Sequence, residues 1–173
     1  MSGIIKWGIL GLGKIAHKFA YDLSLVNGCK LKAIASSNLN RARLFAEKFN
    51  VDIFYGSYSA LYEDDSIDVI YVASLNSNHY THTINAIENG KSVLCEKPLA
   101  INQTQVLDMI VCAQNNNVFL MEALWTRFNP SFEQTLKWID QNYIGNIRYI
   151  NASFSFNGMS KAPDSRLFDA QKG

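Results

Sequence analysis

Three short stretches of this sequence carry residue types whose spacing could do chemistry together. The first is Gly11-Leu12-Gly13-Lys14-Ile15-Ala16. It directly follows an apolar run and opens a helical period. There the first glycine permits a tight turn, the second lets backbone approach a pyrophosphate, and the small Ala16 lets helix and strand pack closely. A helix start adds amide donors and a partial positive charge for the phosphates. The alternative is a plain turn, for which glycines also serve.

The second signal is an absence. Sites that hold the ribose hydroxyls of NAD place an acid about 20 residues beyond the glycines. Between Asp22 and Glu47 this chain has none, and the second apolar run ends in Ser36-Ser37-Asn38, followed by Arg41 and Arg43. Hydroxyls and a guanidinium suit a 2′-phosphate that an acid would repel. The expected cofactor is therefore NADP, with NAD as the alternative. Against this, both arginines could simply solvate a helix face.

The third is Cys95-Glu96-Lys97-Pro98 at the end of a later apolar run. Ligands of open parallel sheets bind at the carboxyl ends of the strands. A lysine at that edge, next to Glu96 and stiffened by Pro98, could give a proton or hydrogen bond to a carbonyl oxygen. A surface Lys-Glu pair closing a strand is the commoner case.

The elements that must position these residues alternate regularly. Apolar runs at 4–10, 31–35, 53–55, 69–73, 92–95 and 118–121 read as strands. The run at 69–73 is apolar on both parities, as in a sheet covered on both faces. Between the runs lie helical periods. Ile15, Phe19, Leu23 and Val26 form one face, and Ala42, Phe45, Ala46 and Phe49 another. A short helix is expected over 59–62 and a longer one over 79–88, closed by Gly90 in a left-handed conformation. Asn102 caps a helix with Val106, Ile110 and Ala113 inward. Asn129-Pro130 starts a last helix with Phe132, Leu136, Ile139 and Tyr143 as its buried stripe. Strands alternating with helices in this way give an α/β fold with a doubly wound parallel sheet and default strand order 3-2-1-4-5-6. After the turn at Gly145-Asn146, an alternating stretch over 147–156 reads as a seventh strand. One strand makes no core of its own, so it reads as the first strand of a second domain that the chain does not complete. The expected division is 1–124 for the dinucleotide-binding domain and 125–173 for a connecting helix and the start of a substrate and dimerisation domain.

Composition bounds the rest. The 173 residues carry 16 Lys+Arg against 15 Asp+Glu, which argues against a protein built to bind nucleic acid or an acidic membrane. With 48% hydrophobic and 18% charged residues the chain suits a globular core. No apolar run reaches the ~18 residues of a membrane span. The start of the sequence lacks a signal-peptide pattern. Cys29, Cys95 and Cys112 show no metal spacing and read as reduced thiols of a cytoplasmic protein, and no metal site is expected.

Together these motifs resemble a known family. Gly11-x-Gly13-x-Ile15-Ala16, Asn76-x-x-His79-x-x-His82 and Gly90-Lys91-x-Val93-Leu94-Cys95-Glu96-Lys97-Pro98 occur in the order found in the Gfo/Idh/MocA oxidoreductases. The segment Met121-Glu122-Ala123-Leu124-Trp125-Thr126-Arg127-Phe128-Asn129-Pro130 is similar to the branch that contains dimeric dihydrodiol dehydrogenase, also called D-xylose 1-dehydrogenase (NADP). The resemblance implies hydride transfer between a nicotinamide and a sugar, diol or related hydroxyl or carbonyl substrate. It implies that Gly11, Leu12, Gly13, Lys14 and Ile15 line the pyrophosphate, with Ser36, Ser37, Asn38 and Arg41 around the adenosine ribose and its phosphate. Ser74, Leu75, Asn76 and His79 would lie beneath the nicotinamide ribose. Glu96 and Lys97 would sit at the nicotinamide, with Lys97 the catalytic proton relay oriented by Glu96. Trp125, Arg127 and Phe154 would shape the substrate side, with Trp125 and Arg127 also near the cofactor. Without the resemblance, His79 reads as a helix-start residue with no ligand, and Trp125 as a generic core aromatic. Members of the family are about twice as long. The chain therefore reads as truncated, with cofactor binding but poor turnover expected, and as a homo-oligomer where the second domain is present. The rival readings are a non-catalytic NAD(P)-binding sensor and an inactive fragment.

Overall fold

A computed structural model of the chain describes residues 3–155, 157, 158 and 168. Six strands form one parallel sheet: β1 (Ile5–Leu10), β2 (Cys29–Ala35), β3 (Ile53–Tyr55), β4 (Val69–Val72), β5 (Ser92–Cys95) and β6 (Leu120–Glu122). Their spatial order is β3-β2-β1-β4-β5-β6, the doubly wound order expected from the alternation. The order reverses between β1 and β4, whose residues pair from Trp7 opposite Val69 to Leu10 opposite Val72.

Six helices connect or follow the strands: α1 (Lys14–Leu23), α2 (Leu39–Phe49), α3 (Ser59–Tyr62), α4 (His79–Glu88), α5 (Gln103–Asn115) and α6 (Pro130–Asp140). Caps set several of their starts. The side chain of Asn102 accepts from Gln105 N at 2.9 Å, and that of Asn129 from Ser131 N at 3.0 Å just ahead of Pro130. Each satisfies a backbone donor that has no partner inside its helix. Gly90 takes φ 73° after α4, as its position predicted.

The two sides of the sheet bury separate apolar layers. Ile9, Ile34 and Tyr71 meet Ala16, Ala20, Phe45 and Ala46 of α1 and α2. Leu10, Ile70, Val72 and Val93 meet Leu61, Ala86, Ile87 and Ala113 on the other face. Among the described residues no helix is long and apolar enough to cross a membrane.

Four details depart from expectation. On α1 the inward stripe is Ala16, Ala20 and Leu23, while Ile15 is exposed, as is Val26, which lies past the end of the helix. Helical spacing alone fits two neighbouring stripes, and only the small residues allow close approach to the strands. On α5 the buried residues are Met109 and Ala113, and Ile110 faces outward, because the helix is rotated so that the 109/113 edge meets the sheet. On α6 the expected buried stripe is open: Phe132, Leu136 and Tyr143 are exposed and Ile139 is half-buried. Among the described residues the main neighbour of this helix is the turn Trp125–Phe128. Last, residues 147–155 run without regular secondary structure, since among the described residues no strand lies beside them to complete a ladder, and Phe156 lies outside the described residues.

Candidate active site

The strands end on one edge, and hydrogen bonds between neighbouring strand segments continue just past them. Gly11 N donates to Ala35 O, Ala73 N to Leu10 O, Glu96 N to Val72 O and Ala123 N to Cys95 O. The loops bearing the candidate residues are therefore held in register side by side.

At the switch point the two glycines differ. Gly11 has φ +86°, and a Cβ there would stand 2.8 Å from the carbonyl oxygen of Ala73. Only glycine lets the turn after β1 approach the end of β4 so closely. Gly13 caps α1 without a side-chain hydrogen bond, and a Cβ there would meet nothing within 4 Å. No acid stands in the first turn of α1. A helix start with free amides, open space before it and no competing carboxylate fits a pyrophosphate.

After β2 the candidate adenosine residues form a tied turn. Ser36 is buried, and its Oγ accepts from Asn38 N at 3.2 Å. Asn38 Oδ1 accepts from Arg41 N at 2.9 Å and caps α2. Arg41 reaches back across the edge, its Nη2 donating to Leu12 O at 2.7 Å. Arg43 turns away and pairs with Glu47 on the helix surface at 2.7 Å. Ser37 is exposed.

After β4, Ser74, Leu75 and Asn76 lead into α4, whose first residue, His79, is 0% exposed. Its Nδ1 lies 2.8 Å from Pro98 O and its Nε2 3.3 Å from Ser74 O. The imidazole thus lies between the β4 and β5 loops and ties one to the other.

The loop after β5 is fastened at further points. The Tyr71 hydroxyl donates to Glu96 Oε1 at 2.6 Å, and Leu99 N donates to Glu122 Oε1 at 2.9 Å. The Lys97-Pro98 bond is cis. Lys97 is exposed and, among the described residues, makes no hydrogen bond or ion pair, so its expected pairing with Glu96 is absent here. The Cys95 thiol is buried, and that burial pushes its pKa up to about 12, which leaves it inert beside the lysine.

A cavity of ≈ 510 Å³ opens beside this loop. Ile15, Lys18, Phe19, Asp22, Tyr71, Leu94, Glu96, Met121, Ala123, Trp125 and Phe128 line it. Lys18 and Asp22 at its rim pair with each other at 2.9 Å. Of the predicted substrate-side residues, Trp125 lines this wall, whereas Lys97, Arg127 and Phe154 do not, and Phe154 is 85% exposed. Sequence reasoning missed Tyr71, Phe19 and Glu122. Glu96 lies two residues past Leu94, which pairs with Tyr71, so both face one side of the sheet; that register was the available signal.

Comparison with known proteins agrees with this geometry. Residues 5–124 match the Gfo/Idh/MocA oxidoreductase family, described as having an NAD-binding Rossmann fold. Trans-1,2-dihydrobenzene-1,2-diol dehydrogenase of Xenopus tropicalis is 42% identical over 151 residues, covering 86% of this chain and 46% of the relative. The Mus musculus protein of the same name is 39% identical over 155 residues, with 88% and 46% covered. The chain spans about half the length of these curated relatives. Among solved structures, KijD10, a 3-ketoreductase from Actinomadura kijaniata in complex with TDP-benzene and NADP, superposes with a TM-score of 0.77 at 31% identity, covering 83% of this chain and 44% of that one. A probable dehydrogenase from Thermotoga maritima gives a TM-score of 0.77 at 30% identity, with 82% and 42% covered. With the doubly wound sheet, the glycine turn at its switch point and a family match over most of its length, the chain belongs to the Gfo/Idh/MocA oxidoreductases, a family with an NAD-binding Rossmann fold.

Proposed function

We propose that this chain carries the cofactor-binding part of an NADP-preferring oxidoreductase that moves a hydride between a nicotinamide and the carbinol or carbonyl carbon of a small diol, sugar or related substrate. The names of the relatives and the bound NADP of KijD10 support that class. The observation that carries the reading is the open helix start at Gly13 on the same strand edge as the fastened loop that presents Lys97.

In this reading the residues divide by what they touch. Gly11, Leu12, Gly13, Lys14 and Ile15 hold the pyrophosphate through backbone amides and the helix field. Ser36, Ser37, Asn38 and Arg41 take the adenosine ribose and its 2′-phosphate. Ser74, Leu75 and Asn76 support the nicotinamide ribose, and His79 acts on the same region by holding its loops. Lys97 Nζ gives or takes the substrate oxygen's proton, with Glu96 and Trp125 beside it and Arg127 at the margin. When bound, the cofactor supplies the hydride chemistry; the protein supplies binding, orientation and proton traffic. Residues 1–124 form the dinucleotide-binding domain and 125–173 a connecting helix and the start of a substrate and dimerisation domain, with a homo-oligomer expected where that second domain is present.

Titration of the chain with NADPH and NADH, followed by nicotinamide fluorescence, tests the reading. Saturable binding with NADPH the tighter ligand is expected. No saturable change with either cofactor would overturn it.

A further inference from the structure

Glu96 stands apart from the other charges of the cavity. Lys18 and Asp22 neutralise each other at 2.9 Å, whereas Glu96 enters no ion pair among the described residues, not even with its neighbour Lys97. Its carboxylate nevertheless has a fixed place. Glu96 N donates to Val72 O at 2.9 Å, and Glu96 Oε1 accepts from the Tyr71 hydroxyl at 2.6 Å. Tyr71 is 2% exposed, and its ring stacks on Phe19 with centroids 3.9 Å apart. That donor cannot swing aside without disturbing the packed layer. Burial, with Glu96 beside it, raises the tyrosine's pKa, so the phenol keeps its proton and remains a donor.

An unpaired carboxylate held at the end of β5 lies where the redox ring belongs on the reading proposed above, on which this inference rests. That ring changes charge during the reaction: oxidised nicotinamide is a cation and the reduced ring is neutral. A fixed anion in a partly desolvated cleft distinguishes the two. We infer that Glu96 is a specificity-determining residue for the redox state of the cofactor, favouring the oxidised form, and that Tyr71 is the positioning residue that keeps its carboxylate aimed at the ring. Apolar walls contributed by Ile15, Leu94 and Met121 strengthen the effect by limiting water around the charge.

The test is the separate affinity of the chain for NADP+ and NADPH, by calorimetry, in wild type and in Glu96→Gln, Glu96→Asp and Tyr71→Phe. Glu96→Gln keeps the shape and removes the charge. It is expected to weaken NADP+ relative to NADPH by about tenfold. Tyr71→Phe keeps the ring on Phe19 and frees the carboxylate, so the same ratio falls by a smaller factor. Glu96→Asp retains the charge and more of the ratio than Glu96→Gln. A merely structural role would lower both affinities together and leave the ratio alone. An unchanged ratio in Glu96→Gln, with both forms still bound, overturns this inference and leaves the proposed function standing. An unchanged ratio in Tyr71→Phe alone overturns the part given to Tyr71. Failure of the wild type to bind either form overturns the proposed function, and this inference with it.

Discussion

His79 and Pro98 are joined across two strands: the imidazole Nδ1, wholly buried at the start of α4, lies 2.8 Å from the Pro98 carbonyl oxygen in the loop after β5. On its other side Nε2 faces Ser74 O at 3.3 Å. One ring therefore sets the distance between the loop expected under the nicotinamide ribose and the loop that presents Lys97.

Removing that ring has a calculable consequence. His79→Ala leaves a void and takes away a buried donor, with an expected loss of about 2–4 kcal/mol of stability. Urea unfolding measures it. His79→Asn keeps a donor near one carbonyl, so the loss is smaller. An unfolding midpoint equal to wild type in His79→Ala would refute the tie between the loops.

The two glycines of the turn separate folding from binding. Gly11→Ala forces a Cβ to within 2.8 Å of Ala73 O at φ +86°, at a cost of about 1–3 kcal/mol or more. Gly13→Ala has φ −77° and nothing within 4 Å, so its unfolding midpoint stays near wild type. Its methyl group instead fills the space before α1, and NADPH titration is expected to show a large loss of affinity. A Gly13→Ala protein that binds as wild type does would remove the phosphate role of the turn.

Acid weakens the fold through histidine before the carboxylates take part. His82 is held below the ordinary imidazole value of 6.5, chiefly by burial and then by His79. Its Nδ1 meets the Tyr62 hydroxyl at 2.7 Å, and its Nε2 is buried without a hydrogen-bond partner among the described residues. His17, among Phe45 and Phe49, is lowered by burial and then by Lys48 and Arg41. Below pH 6.5 the unfolded chain takes up these protons while the native one resists, so stability present above 6.5 is lost as pH falls through the lowered native values. Chemical denaturation across this range should show the decline, and His82→Gln should make it shallower. A pH profile identical in the variant would assign the decline to other groups.

How far the sequence reveals this molecule depends on where each residue's partner lies. The strands were legible because each is a short apolar run bounded by turn residues, and the bounds of α3, α4, β3 and β5 agree with the sequence reading. The strand order followed from the alternation itself. Gly11 and the caps at Asn102 and Asn129 were legible because their causes are local. What failed needed a neighbour. Ile15 and Ala16 are adjacent, and only the depth of the groove between helix and sheet decides which turns inward. The stripe Phe132, Leu136 and Tyr143 was read as buried because apolar spacing implies a partner, yet no element of the described residues covers it. Tyr71 was hidden for the opposite reason. In a run of valine and isoleucine its ring reads as core, and its hydroxyl matters only through a carboxylate 25 positions further on.

The link from Arg41 to Leu12 carries the last prediction. Arg41 Nη2 donates to Leu12 O at 2.7 Å, which leaves the other N–H donors of its planar fork without a hydrogen-bond partner among the described residues. A guanidinium that only tethered the glycine turn would support both dinucleotides alike, since the turn serves the pyrophosphate they share. A guanidinium that also meets a 2′-phosphate supports only one of them. Arg41→Ala is expected to weaken NADPH by about tenfold to a hundredfold, the range of one or two charge-assisted hydrogen bonds, while NADH changes little. Arg41→Lys keeps the charge without the fork, so it recovers part of the NADPH affinity. Fluorescence titrations of both cofactors against the three proteins decide the matter. Equal losses for NADPH and NADH would reduce Arg41 to a tether and leave the preference for the phosphorylated cofactor without its main support.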